Sequence, residues 1–381
     1  MGLLTGEYVY VGQERLRRGF TSGTAAALAA RAATRMLLSG EAPETLSLTT
    51  PKGEEVAAPV ALSEAGEGWA RCGVCKDGGD DVDATDGLLV CARVSRSDEA
   101  GVAIEGGEGV GRVTKPGLDQ PLGQAAINSG PRAMIREQVE DESAEQGYAG
   151  GLSVVVDVPE GREVARRTFN PRLGVEGGVS ILGTTGVVEP RSLAALRDSI
   201  EVEVRQQAAL GSRRLLLVPG NYGEAFAAQV PELSGAPRVS CANYIGFSLD
   251  CAVRYGFEQV VLVGHLGKLV KVAGGVMDTH SKTADCRREI FTAHAALAGA
   301  DSACARELMD AATSDACLDV LERHGLLDAV LSSLSDAIGK AVEGRCGGAC
   351  ESGAVFFTNK RGLLGMSDGA RRILASWREG A

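Results

Sequence analysis

Over residues 1–150 the apolar positions fall into short runs between Gly and Asp turns, which reads as a succession of short strands. Residues 46–50, 88–94 and 102–104 are the clearest of them. One helix interrupts the pattern, an Ala-rich stretch from Thr24 to about Leu38, stopped at Gly40. The mixture predicts an α+β domain. Residues 140–151 (EDESAEQGYAGG) turn from charged to small and Gly-rich, and mark the expected domain boundary.

From residue 151 the pattern becomes strand, polar loop, helix. Residues 152–158 read as a strand. Residues 179–182 read as another, followed by Gly183-Thr184-Thr185-Gly186 and then a helix capped by Ser192, with Leu193, Leu196, Ile200 and Val204 at helical spacing. Residues 215–218 lead into Pro219-Gly220-Asn221, and residues 239–241 into Asn243-Tyr244-Ile245-Gly246 and a helix to Tyr255. Residues 260–263 form an apolar run without polar alternation, as suits a strand buried on both faces of a parallel sheet. That run ends in Gly264-His265-Leu266-Gly267-Lys268. Helices dominate from Lys282 to about Glu343, with a late strand at residues 354–357. Such alternation predicts an α/β domain over residues 151–381 with a largely parallel sheet. Ligands of such sheets bind outside the carboxyl ends of the strands. Gly183–Gly186, Gly220-Asn221 and Asn243 therefore point to one shared crevice, with His265 and Lys268 at its last strand.

Composition narrows the picture. The chain has 381 residues, 44% of them hydrophobic, enough for two cores. No apolar stretch reaches membrane-spanning length and the start has no signal-type apolar region, so a cytoplasmic protein is expected. Ten cysteines are too sparse for a disulfide scaffold. Cys72 with Cys75 and Cys346 with Cys350 are the metal-like pairs, but they fall in different domains, so no metal site is assigned. A net charge of −11 argues against general nucleic-acid binding, and an anionic ligand would need a local cluster of Lys and Arg.

Several motifs carry polar chemistry. Phe20-Thr21-Ser22-Gly23-Thr24 precedes the Ala-rich helix, where hydroxyls and free N–H groups either cap the helix or grip an anion. Lys76-Asp77-Gly78-Gly79-Asp80-Asp81 is a charged turn without the spacing of an EF-hand loop. Gly106-Gly107-Glu108-Gly109-Val110-Gly111 mimics a dinucleotide fingerprint, but the following Arg112–Gly117 (RVTKPG) cannot open a helix, which excludes a nicotinamide site. His265 and His280 have no metal-ligand spacing and read as structural or substrate-contacting residues.

These blocks together resemble one family. Gly19–Thr24 (GFTSGT), Thr50–Gly53 (TPKG), Lys76–Asp81, Gly109–Gly117 (GVGRVTKPG), Ala126–Ile135 (AINSGPRAMI), Asn170–Gly186, Gly220-Asn221, Asn243–Gly246 and Gly264–Arg287 match, in order, the CbiD-type cobalt-precorrin-5B C1-methyltransferases of oxygen-independent cobalamin synthesis. The departures are mild: Phe20 for Tyr, Ser22 for Thr, and Met277-Asp278 where an Asn is common. The resemblance implies an α+β domain joined to a Rossmann-like one. It also implies transfer of a methyl group from S-adenosylmethionine to C1 of cobalt-precorrin-5B, giving cobalt-precorrin-6A. On that basis the donor is expected against Gly183, Thr184, Thr185, Gly186, Gly220, Asn221, Asn243, Gly264 and Gly267 of the second domain. The macrocycle is expected between the domains, its carboxylates met by Thr21, Ser22, Thr24, Lys76, Asp77, Lys115, Arg132, Arg172, Lys268 and His280. His265 is the candidate for proton acceptance or positioning. Two rivals remain open: a cobalt-tetrapyrrole carrier or chelatase-like protein, and a metal or redox protein using the four paired cysteines. The oligomeric state is left open, with a homodimer as one choice.

Overall fold

The computed structural model describes residues 3–4, 7–234 and 236–379, and the chain divides into two compact units, Met1–Leu193 and Ala194–Ala381. In the first, a five-stranded sheet is built from β1 (Leu62–Gly66), β2 (Trp69–Cys75), β3 (Leu89–Ser97), β4 (Val102–Gly106) and β5 (Gly151–Asp157) in the order β4-β5-β3-β2-β1. Strand β5 inserts between β4, which it meets in parallel with Val102 opposite Leu152, and β3, which it meets antiparallel with Val154 opposite Val94. The expected boundary near residue 150 is thereby corrected. Residues 151–157 complete the first sheet, and the division falls instead at Leu193.

Helix α1 (Ser22–Ser39) lies on this sheet and α2 (Ser129–Glu145) packs beside it. Ala25–Ala30 of α1 are wholly buried together with Leu28, so small side chains bring the helix axis close to the sheet. Thr21 caps α1 by accepting the Thr24 N–H, and Gly40 ends it in the left-handed region at φ 82°. The carboxylate of Glu142 on α2 has no exposed side-chain surface and takes Arg35 Nε at 2.7 Å and Arg31 Nε at 3.0 Å from α1.

Residues 179–182 are not a strand of a parallel sheet. They make only isolated bridges, Val179 to Val110 and Ile181 to Ile127, and belong to the first unit.

The second unit begins within α3 (Leu193–Ala209) and holds β6 (Arg214–Val218), β7 (Arg238–Ser240), β8 (Gln259–His265), β9 (Glu351–Thr358) and β10 (Gly362–Met366). Their order is β7-β6-β8-β9-β10, parallel except for the last, antiparallel strand. Leu215, Leu217, Val260, Leu262 and Phe356 face one core, and Leu216, Val218, Val261, Val263 and Val355 face the other, as the two-residue period of a strand requires. This is the sheet covered on both faces that the unalternated run of residues 260–263 predicts.

The connections alternate in direction. Helix α4 (Asn221–Gln229), following β6, contributes Ala227 to the second core. Helices α5 (Ile245–Arg254) and α6 (Leu266–Ala273), following β7 and β8, contribute Leu249 and Leu269 to the first. Helices α7 (Arg287–Leu297), α8 (Ser302–Asp310), α9 (Ser314–Arg323) and α10 (Leu327–Cys346) thicken the first core, and α11 (Asp368–Glu379) closes the second. Helical structure resumes at Arg287, five residues later than the sequence suggests. No helix among the described residues is long and apolar enough to cross a membrane.

Candidate functional site

Helix α4 leaves β6 toward one face while α6 leaves β8 toward the other, and β6 and β8 are neighbours. That makes the carboxyl ends of these two strands the switch point of the sheet, where two diverging helices leave a crevice for a ligand. Its floor is tightly built. A Cβ on Gly223, in the first turn of α4, would stand 2.9 Å from the Val263 carbonyl oxygen of β8. A Cβ on Gly264 would stand 2.4 Å from Leu269 and 2.8 Å from Pro219. Gly264 is therefore required by protein packing. Gly220 differs: its φ is 97° and nothing lies within 4 Å of where its Cβ would be. Its backbone is open, and it starts α4 with Asn221 and Tyr222 exposed beside it.

His265 stands at the other lip. It is the N-cap of α6 and accepts the Gly267 N–H on Nδ1 at 3.1 Å. A neutral ring so held carries its proton on Nε2. Burial pushes its pKa below the ordinary histidine value, and the Asp315 carboxylate opposes that only in part. Tyr222 lies 6.5 Å away between ring centroids and Phe357 packs edge-on at 5.8 Å. Lys268, in the first turn of α6, donates to Asn243 Oδ1 at 2.8 Å and to the Ala242 carbonyl at 3.2 Å. Burial lowers its pKa. Ala242 holds a left-handed φ of 48°, rare for a residue with a Cβ, at the end of β7. Gly220, Asn221, Asn243, His265, Gly267 and Lys268 are thus brought to the ends of three adjacent strands. His280 is exposed and its Nδ1 accepts the Lys282 N–H at 3.1 Å.

Gly183–Gly186 lies in the first unit, against the start of α1. Gly183 has φ 140° and a Cβ there would come within 2.1 Å of Thr21 Oγ1. Ser22 Oγ accepts the Leu182 N–H at 2.9 Å, and Thr24 Oγ1 donates to the Gly186 carbonyl at 2.7 Å. Thr185 bonds within its own turn, to the Val187 carbonyl, while Thr184 is exposed. The loop and the GFTSGT segment are each other's hydrogen-bond partners, so Thr21, Ser22 and Thr24 serve the helix start.

The expected carboxylate-gripping cations separate by environment. Lys76 is 5% exposed and pairs with Asp83 at 2.6 Å, and Asp77 pairs with Arg17 at 2.7 Å. Arg132 donates to the carbonyls of Ile127 at 2.9 Å, Ile104 at 2.8 Å and Ala125 at 3.5 Å. All three residues have partners within the fold. Lys115 and Arg172 come together: Lys115 Nζ donates to the Arg172 carbonyl at 3.2 Å, and the Arg172 side chain is exposed.

All ten cysteines are free thiols. Cys72 and Cys75 lie in the first unit, Cys346 and Cys350 in the second, and among the described residues no group of three or more His, Cys, Asp or Glu could hold a metal ion. Cys75 is exposed, Cys286 and Cys350 are half-buried, and the other seven are buried.

A mostly parallel sheet covered by helices on both faces makes the second unit an α/β domain, here accompanied by an α+β unit. Comparison with known proteins makes this specific. Residues 9–190 match the CbiD family model, and residues 278–368 match that of the CbiD C-terminal domain. A cobalt-precorrin-5B C(1)-methyltransferase of Thermoanaerobacter sp. (strain X514) is 45% identical over 82% of this chain and 84% of its own. Its counterpart in Moorella thermoacetica is 39% identical over 96% of this chain and 98% of its own. A crystal structure of cobalamin biosynthesis protein (cbiD) from Archaeoglobus fulgidus is 30% identical, covers 74% of this chain and 88% of that one, and has a TM-score of 0.40. The chain belongs to the CbiD family.

Proposed function

We propose that this protein methylates C1 of cobalt-precorrin-5B with S-adenosylmethionine as methyl donor, in oxygen-independent cobalamin synthesis. The observation that carries the reading is the name shared by relatives aligned over nearly the whole chain, as in Moorella thermoacetica. The switch-point crevice of the second unit, taken as Rossmann-like, supports it. Gly220 leaves backbone open to a ligand, and the exposed Tyr222 ring offers a face for an adenine.

The bound donor supplies an electrophilic methyl group on a sulfonium. C1 of the macrocycle is the nucleophile; the C1–methyl bond forms as the methyl–sulfur bond breaks, leaving a thioether, and the macrocycle gives up a proton. The work of the chain is alignment, which contributes about 7–11 kcal/mol of the barrier in well-oriented reactions. Gly220, Asn221 and Gly267 hold the donor. His265 is tied at Nδ1 and kept neutral, so its Nε2–H positions a bound group by donating a hydrogen bond. Solvent takes the proton. Lys115 and Arg172 meet substrate carboxylates on the first unit. Anaerobic incubation with cobalt-precorrin-5B and methyl-labelled S-adenosylmethionine tests the reading. One labelled methyl on C1, seen by mass and NMR analysis, is the expected product. Tetrapyrrole binding with no affinity for S-adenosylhomocysteine would identify a carrier instead.

A further inference from the structure

Of the helical segment that follows the central strands, the start of α9 lies against the His265 lip of the crevice. Thr313 caps this helix, its hydroxyl accepting the Ala316 N–H at 3.1 Å. A Cβ on Gly267 would lie 3.3 Å from His265 Nδ1 and 3.5 Å from Ser314 Oγ, so α9 begins against the His265 lip. Ser314 is 4% exposed, and its Oγ has no hydrogen-bond partner among the described residues. The neighbouring Asp315 is half-buried, and its Oδ1 is likewise shielded and unpartnered. Its carboxylate is close enough to act on the His265 ring. His265 has its Nδ1 taken by Gly267, and its Nε2 has no partner among the described residues.

Shielded polar groups are nearly always paired in folded proteins, because an unmade hydrogen bond costs the full desolvation of the group. Two such groups, Ser314 Oγ and Asp315 Oδ1, stand beside the Nε2–H of His265, and the three atoms define the chemistry that would pair them. Asp315 Oδ1 can only accept, Nε2–H of His265 can only donate, and Ser314 Oγ can do either. An ammonium would serve Asp315 and leave the ring unpaired. A carboxylate would serve the ring and face Asp315. An alcohol hydroxyl both donates and accepts, and a vicinal pair of hydroxyls serves all three atoms.

We propose that His265, Ser314 and Asp315 form a diol-recognition corner that takes the ribose hydroxyls of a nucleoside ligand bound at the switch point. This rests on the donor reading above and adds to it the two residues of α9 and the part of the donor they meet. Asp315 accepts from one hydroxyl after a side-chain rotation, and His265 Nε2–H donates to the other.

The test is calorimetric binding of S-adenosylhomocysteine and its 2′-deoxy and 3′-deoxy analogues to the native protein, Asp315→Asn and Ser314→Ala. In the native protein, loss of the critical hydroxyl should weaken binding about 10–100-fold, as for a hydrogen bond to a charged group. Asp315→Asn should weaken the parent compound by a similar factor and add little to the loss in that deoxy analogue. Deoxy analogues that bind the native protein as tightly as the parent overturn the proposal. So does a deoxy penalty undiminished in Asp315→Asn. If S-adenosylhomocysteine itself fails to bind the native protein, the donor reading falls and takes the corner with it; tight binding without a hydroxyl preference removes the corner alone. Because the native arm needs no variant, a misfolded Asp315→Asn leaves the proposal open to refutation.

Discussion

Gly183→Ala separates a packing role from a ligand role for the GTTG loop. Its φ of 140° is a conformation an L side chain rarely adopts, at a cost of about 1–3 kcal/mol. The new methyl would start 2.1 Å from Thr21 Oγ1, and making room for it costs about 1–3 kcal/mol. Displacing Thr21 also removes the α1 cap, about 1 kcal/mol. The sum is about 3–7 kcal/mol, a large part of the 5–15 kcal/mol that holds a typical domain together. Gly40→Ala is the control: φ is 82° but nothing lies within 4 Å, so about 1–2 kcal/mol is expected. The chain carries two tryptophans, Trp69 in the first unit and Trp377 in the second. Urea unfolding of a Trp377→Phe background reads the first unit through Trp69, and Trp69→Phe reads the second. Gly183→Ala should shift the Trp69 transition strongly, leave the Trp377 transition in place, and leave S-adenosylhomocysteine affinity of the folded protein unchanged. A Trp69 transition matching Gly40→Ala, together with lost donor affinity, would restore the loop to the donor site and refute this reasoning.

Glu142→Gln should destabilise the first unit by about 3 kcal/mol at pH 7, since two guanidinium groups lose a buried partner. Burial pushes the Glu142 carboxyl up, but hydrogen bonds from Arg35 and Arg31 outweigh it and hold the pKa below its ordinary value. Its contribution is therefore complete above the unfolded-state pKa and lost as pH falls through the lower native one, so urea midpoints of native protein and variant should converge in acid. Lys115→Ala with Arg172→Ala should weaken cobalt-precorrin-5B binding and reduce its salt dependence, because such attraction is screened over about 8 Å at physiological ionic strength; a double variant with intact, equally salt-sensitive affinity excludes the pair. His265→Asn should keep much of the turnover while His265→Ala loses binding; normal binding with ~10³-fold slower turnover in His265→Asn would reveal a base. The His265 ring, followed by NMR, should titrate below the ordinary value near 6.5, and the stability owed to its neutral form should be complete above that value and decline as pH falls through it.

What the sequence discloses depends on how local the cause is. The run of residues 260–263 declares a strand covered on both faces because burial leaves no polar alternation, and β8 is found there. The Ala-rich stretch declares α1, and Gly40 its end. Strand β5 has the right residues but the wrong domain, since its partners β3 and β4 come tens of residues earlier and pairing leaves no mark in its own composition. Gly183–Gly186 misleads for a related reason: a Gly required by φ and a crowded Thr21 has the same letter as a Gly left open for a ligand. Gly220, His265 and Lys268 are legible as a group because a parallel sheet brings its strand ends together. Ser314 and Asp315 are not, because they open an ordinary capped helix and only the turn of α9 toward Gly267 gives them a neighbour of interest. The packing of long side chains is equally silent in sequence: Lys76 finds Asp83 rather than the adjacent Asp77.

The thiols also make the protein a clock of its own opening. Cys75, the exposed one, should react at once with a disulfide reagent such as Ellman's, and Cys286 and Cys350 more slowly. Cys91 in the first unit and Cys241, Cys251 and Cys317 in the second are covered, and burial pushes their pKa up to about 11, 12, 11 and 11. Few of them are thiolates at neutral pH even when touched, so each modification records a departure from the native packing around it. Peptide mapping of alkylated samples over time would give one opening rate for Cys91 and another for the second set, without any engineered label. A ligand that slows Cys241, at the end of β7, and leaves Cys91 alone would announce which unit it occupies.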